Sequence, residues 1–336
     1  MKYTFSRGKN MYGRRILQTA VLAVAVVGLL SSCKGNAKQS NAFNWTSGLN
    51  SYHPSYREKS VAEKDGAFYY LSANKLMKVD VDGEDSTVVF EDDSPIYSLC
   101  LDVKNVYFFT ADNVKSYNIE SGEVKTLLQS NIKDTGSEIA GIVIHDDYLY
   151  IFDTGISVVR LNLSGGEAER FLDDVSSMCF IKDECYYTSH TEMTRGIIKK
   201  NTVTGEESVL TDGNTMTDDH RLIDSVISAD GELYYSTRSP AAVYKYVDGL
   251  SDIIIRQDEK GDIINNSVTF IGSNDNGFAF RFRDVGDKND IFYFDGSKLH
   301  TVTVWSSLEV SPFTVGNRLF YKHKGADTFT VTELTD

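Results

Sequence analysis

Phe68-Tyr69-Tyr70-Leu71-Ser72, followed by Lys78-Val79-Asp80-Val81-Asp82-Gly83, is the stretch whose reading decides the fold. An aromatic run, a short break and then an alternating run closed by Asp-Gly predict two antiparallel strands that lead into a tight turn. The same plan recurs along the chain. Second strands are predicted again at Val106-Tyr107-Phe108, Leu149-Tyr150-Ile151, Cys185-Tyr186-Tyr187, Leu233-Tyr234-Tyr235, Phe278-Ala279-Phe280 and Leu319-Phe320-Tyr321. Third strands end alike at Arg160-Leu161-Asn162-Leu163-Ser164-Gly165, at Lys200-Asn201-Thr202-Val203-Thr204-Gly205 and more loosely at Tyr246-Val247-Asp248-Gly249. Fourth strands follow over residues 87–90, 124–128, 169–172, 208–210 and 253–255. Cys100 and Cys179 each stand seven residues before the central Tyr of their repeat, which supports the alignment independently.

From one central residue to the next the interval is roughly 36 to 48 residues, the length of one propeller blade. Short strands, Asp-Gly and Ser-Gly turns and no sustained 3.6-residue period predict an all-β chain. A sheet of this composition is apolar on both faces and gains most by stacking against its neighbours around an axis. The expectation is an all-β propeller of four-stranded antiparallel blades over residues 51–336, seven in number, with six or eight as alternatives and an open solenoid as the competing reading. The last repeat runs out after a third strand at residues 329–333, so residues near Phe43 to Trp45 are expected to supply its outer strand.

These motifs resemble the YWTD propellers of low-density-lipoprotein receptors and the TolB-like propellers of bacterial envelopes. The tetrad itself is nowhere intact, so the resemblance, over about residues 60–336, implies the fold and no activity.

The N-terminal segment carries a second signal. Lys2, Arg7, Lys9, Arg14 and Arg15 precede an apolar run over residues 16–30, and Leu30-Ser31-Ser32-Cys33 follows at once. That run is short for a membrane span of ~20 residues and fits a signal peptide over residues 1–32. The tetrapeptide resembles the lipobox of bacterial lipoproteins, which implies acylation of Cys33 and attachment to a membrane of the cell envelope, periplasmic or at the outer surface. Residues 33–50 are polar and read as a tether.

Hydrophobic residues make up 41% of the 336, aromatic ones 12%, and there are only 4 Pro, which suits a large core. The formal charge is −14, and the basic residues of the leader hide a more acidic remainder. Such a surface excludes nucleic acid as a partner, because affinity for phosphates comes from clustered Lys and Arg. Cys100, Cys179 and Cys185 remain once Cys33 is used; they read as buried small hydrophobes, a Cys179–Cys185 bond staying open.

No motif of cofactor, metal or catalytic chemistry emerges. The His residues lack metal-ligand spacing, and there is no G-x-S-x-G elbow or P-loop. Ser273-Asn274-Asp275-Asn276-Gly277 matches the start of a sialidase-type Asp box but reads as a β-turn. Asp284, Asp287, Asn289 and Asp290 read as a solvated loop in preference to a calcium site. Longer connections in the later repeats gather His190, Arg195, His220, Arg221, Arg238 and Arg283. Because Arg grips carboxylates and phosphates in bidentate fashion, these six are the candidate site for an anionic group of a protein, peptide or glycan; the competing reading is local pairing with Asp and Glu. Replacing Arg195, Arg221 and Arg238 with Ala is expected to abolish capture without lowering thermal stability. The functional expectation is a non-enzymatic binding or scaffold module, the alternative being a hydrolase or lyase acting on glycans or peptides.

Overall fold

The structure is a computed structural model that describes residues 51–52, 61–64, 66–80, 86–110, 113–129, 139–153, 156–191, 196–210, 222–238, 241–256, 267–274, 277–283, 290–304, 307–315 and 318–333. Its regular elements are strands. After β1 (Ser51–Tyr52), blade 1 comprises β2 (Val61–Lys64), β3 (Ala67–Ser72), β4 (Lys75–Asp80) and β5 (Ser86–Glu91). Blade 2 is β6 (Tyr97–Leu101), β7 (Asn105–Phe109), β8 (Asn113–Asn118) and β9 (Val124–Gln129). Blade 3 is β10 (Ile139–His145), β11 (Tyr148–Asp153), β12 (Val158–Asn162) and β13 (Glu169–Leu172). Blade 4 is β14 (Val175–Ile181), β15 (Glu184–Ser189), β16 (Ile197–Asn201) and β17 (Glu207–Leu210). Blade 5 is β18 (Leu222–Ala229), β19 (Glu232–Arg238), β20 (Ala242–Val247) and β21 (Leu250–Arg256). Blade 6 is β22 (Ser267–Asn274), β23 (Gly277–Arg283), β24 (Asp290–Phe294) and β25 (Leu299–Val304). Blade 7 is β26 (Leu308–Val315), β27 (Arg318–His323) and β28 (Thr330–Glu333).

Each blade is an antiparallel meander whose strands pair in chain order, and the seven blades form a β-propeller. All seven aromatic triplets lie in second strands, as expected. They do so because that strand packs on both faces: Phe68, Tyr69 and Tyr70 are all buried, and so are Val106, Tyr107 and Phe108. Cys100 faces Tyr107 and Cys179 faces Tyr186 at the same register position.

The core lies between blades and runs around the ring. Val143, Tyr150 and Phe171 of blade 3 meet Met178, Phe180 and Cys185 of blade 4. Cys179 and Ile197 meet Val226 and Tyr235 of blade 5. Tyr234 meets Phe278 of blade 6 with ring centroids 4.8 Å apart. Ile291 and Tyr293 pack on Leu308 and Leu319 of blade 7. Phe320 and Phe329 then pack on Phe68 and Tyr70 of blade 1, which closes the ring. Buried hydroxyls stitch the same junctions: Ser177 Oγ accepts from Val226 N–H and donates to its carbonyl, both at 3.2 Å. Cys179 and Cys185 belong to opposite faces of blade 4, and all three described thiols are free.

Two features were not foreseen. In six blades the first strand carries a bulge, between Tyr97 and Leu99, Ile139 and Gly141, Val175 and Ser177, Ile223 and Ser225, Phe270 and Gly272, and Leu308 and Val310. A bulge re-aims the side chains beside it. The second feature is β1, which adds to the innermost strand of blade 4, with Ser51 opposite Cys179 and Tyr52 opposite Met178. Blade 7 has three strands among the described residues; Phe43 to Trp45, expected to complete it, lie outside them.

Candidate functional site: the rim of long connections

Strands that alternate in direction sort their connections onto two rims. Turns from first to second and from third to fourth strands share the short-turn rim. Links between blades, and loops from second to third strands, share the other, where the long insertions fall.

Carboxylates placed where the chain enters a new blade organise the described part of the long-loop rim. Between blades 1 and 2, Asp92 pairs with Lys115 and accepts from Ser94 N–H at 3.1 Å, while Asn74 Nδ2 donates to the Asp92 carbonyl at 2.7 Å. Burial acts to raise the Asp92 carboxyl, but Lys115 and the hydrogen bonds outweigh it and hold the group below its ordinary range.

Before β14, Asp174 has φ of 60° and accepts from the Ser189 hydroxyl, from Thr191 Oγ1 at 2.8 Å and from Thr191 N–H at 2.9 Å. Burial again pulls upward, and these bonds together with the His190 imidazole hold the carboxyl low. The bulges of β18 and β26 contain Asp224 and Glu309. Asp224 is buried and takes two bonds from the Arg238 guanidinium, one of them from Nε at 2.8 Å. Glu309 accepts from Ser72 Oγ at 3.1 Å and lies 3.6 Å from Lys322 Nζ.

Of the residues selected from the sequence, His190 is exposed on this rim and its backbone N–H donates to the Asp174 carbonyl at 3.1 Å. Arg238 ends β19, half-exposed, with its fork on Asp224. Arg283 ends β23, where it faces Ser267 in the backbone register, and its side chain lies outside the described residues. Arg195, His220 and Arg221, with most of the acidic loop after Arg283, also lie outside them. The Arg238–Asp224 pair alters one expectation. Replacing Arg238 strands a buried carboxylate, so the triple substitution lowers stability as well.

Asp92, Asp174, Asp224 and Glu309 were not singled out in advance. The available signal was an acid at or just before several first strands, and without knowledge of the bulges it looked like ordinary surface charge. Among the described residues no group of three or more His, Cys, Asp or Glu could hold a metal ion.

No protein-family model matches the chain, and no curated protein does. Solved structures share the fold. PorZ of Porphyromonas gingivalis, described as a bacterial surface component of the type-IX secretion system, superposes with a TM-score of 0.58 at 10% identity, covering 83% of this chain and 37% of that one. The extracellular domain of the putative one-component system BT4673 of B. thetaiotaomicron gives 0.54 at 11% identity, over 87% of this chain and 40% of that one. A chain of a mitotic checkpoint complex gives 0.55 at 10% identity, over 95% of this chain and 100% of that one. This chain thus spans well under half the length of the two bacterial chains. At such identities the likeness shows the propeller and nothing finer.

Proposed function

We propose that this chain is an exported lipoprotein, acylated on Cys33, whose propeller works as a non-enzymatic binding or scaffold module through its long-loop rim. The observation that carries the reading is how the described acids at the bases of this rim's loops are used. Asp92, Asp174, Asp224 and Glu309 are each tied to a cation or to hydroxyl donors of the same scaffold. Catalytic pairs need the opposite arrangement, with two carboxylates close to each other and environments that split their pKa values. Carboxylates consumed by local bonds instead stiffen the bases of the loops, which suits a platform whose specificity lies in the loops themselves.

Extracellular bacterial propellers among the structural neighbours agree with an exported location. Mass spectrometry of the protein purified from envelopes tests acylation: the mature chain should begin at Cys33 with added acyl mass, and Cys33→Ser should release it from the membrane. Arrays of anionic glycans and peptides test the rim. Arg195→Ala with Arg221→Ala should lose the captured ligand with unchanged melting temperature; undiminished capture would discard the anionic-ligand reading.

A further inference from the structure

The direction of β1 distinguishes the two rims at the N-terminal end of the described chain. β14 starts at the long-loop rim with Val175 and ends at the short turn after Ile181. β1 pairs with it antiparallel, Ser51 lying nearer that short turn than Tyr52 does. Ser51 is therefore the end of β1 nearer the short-turn rim. Tyr52 is the end nearer the long-loop rim, where β2 begins.

The short-turn rim has a second property. Val103, Val203, Val247, Leu250 and Leu299 are exposed there, Val203 at 80% and Leu250 at 54%. The other large exposed apolar residues among those described, Val88, Val209, Ile253 and Val331, lie further along third or fourth strands, whereas Val247, Leu250 and Leu299 stand at strand ends beside the turns. Single exposed aliphatic side chains are ordinary, but five share this rim, and the tips are held in place. Asn201 Oδ1 accepts from Val203 N–H at 3.0 Å and Thr204 N–H at 2.8 Å, which fixes the turn with Val203 at its crest. Asp102 does the same beside Val103, accepting from Lys104 and Asn105 N–H at 2.6 and 2.7 Å, and Asp295 beside Leu299, accepting from Lys298 N–H at 2.6 Å. Val247 and Leu250 flank Asp248 and Gly249, both at positive φ, in a two-residue hairpin. The tips concentrate on blades 4, 5 and 6.

We propose that the short-turn rim is a lipid-facing surface, seated on the bilayer through Val203, Leu250 and Leu299, with the long-loop rim turned away toward partners. The proposal rests on the reading of Cys33 as acylated. Seventeen residues separate that position from Ser51, and a tether of this length keeps the rim at high effective concentration near the membrane. A few aliphatic tips are then enough, because the anchor has already met the entropic cost of association. Acidic residues share this rim, Asp146, Asp183 and Asp230 among them, so the attraction is apolar, and an uncharged bilayer is the appropriate probe.

The test uses the full acylated chain in phosphatidylcholine vesicles with an environment-sensitive fluorophore on one introduced thiol. Cys100, Cys179 and Cys185 are buried, so labelling goes to the new site. Val203→Cys and Leu299→Cys place it on the short-turn rim, and Asp93→Cys on the exposed link between blades 1 and 2. Both short-turn probes should brighten several-fold on reconstitution and resist aqueous quenchers, while the probe at position 93 should stay quenchable. Equal exposure at all three, or protection of position 93 alone, overturns the proposal, as does protection that appears only after another envelope protein is added. The mass of the same sample separates the two readings. An unacylated Cys33 removes the anchor and this apposition with it; an acylated chain with a quenchable position 203 removes the apposition alone.

Discussion

Lys322 in the last blade donates through Nζ to the Tyr70 hydroxyl of the first at 3.2 Å, and the same nitrogen lies 5.0 Å from the centroid of the Tyr70 ring. The Tyr70 hydroxyl donates in turn to Ser86 Oγ at 3.1 Å. Polar groups thus cap the apolar contact of Phe68 and Tyr70 with Phe320 and Phe329 where the first and last blades meet.

Lys322→Ala should lower stability by about 2 kcal/mol, because Glu309 loses its cation and the Tyr70 ring loses its cover. Lys322→Met with Glu309→Gln should recover most of that loss, since the buried ammonium and its partly buried partner charge leave together. Urea unfolding of the three proteins checks this; equal midpoints for single and double variants would show that the pair is inert.

Gly277 opens β23 with no room for a side chain: a Cβ there would stand 2.0 Å from the Phe294 carbonyl oxygen. The clash is with backbone, so Gly277→Ala should cost about 3 kcal/mol. Gly205 is a suitable control, with φ of +76° and open space around it, and Gly205→Ala should cost only about 1 kcal/mol of conformational strain. Thermal melts of the two variants should therefore separate clearly.

Burial pushes the Cys100, Cys179 and Cys185 thiols up. Thiolate is the reactive form, so an aromatic disulfide reagent at pH 8 should modify none of the three in the folded protein and all three in denaturant. A rapid native phase would contradict the burial.

Acid should destabilise the protein in two steps. Burial against Phe180, with ring centroids 4.3 Å apart, holds His145 below its ordinary value, so the unfolded chain takes up the proton first. His145 therefore contributes stability above about pH 6.5 that fades as pH falls below it. Asp92 and Asp174 are also held low, and their contribution is full above about pH 4 and lost below it. Unfolding free energy measured against pH should show both limbs; His145→Phe should flatten the upper one, and Asp174→Asn should weaken the lower.

Legibility from sequence followed how local the cause was. The aromatic second strands were plain because their residues are buried on both faces within one short run. A fourth strand was expected in every blade, but the position of β25 was not picked out, since Leu299 to Val304 is only partly buried and carries no apolar run. β1 rests on a pairing between Ser51 and Cys179, which nothing near either residue announces. Arg238 was selected as a candidate anion ligand, whereas its partner Asp224 lies in a bulge, a backbone irregularity that leaves no mark on composition.

The contact between Tyr70 and Lys322 joins positions 252 residues apart, whereas neighbouring blades elsewhere are linked by a short stretch of chain. Closure entropy for so large a loop must be spent before any of its contacts give a return. Folding is thus expected to proceed blade upon blade and to finish where first and last meet, and under load or heat that junction is the one at which the circle would come apart.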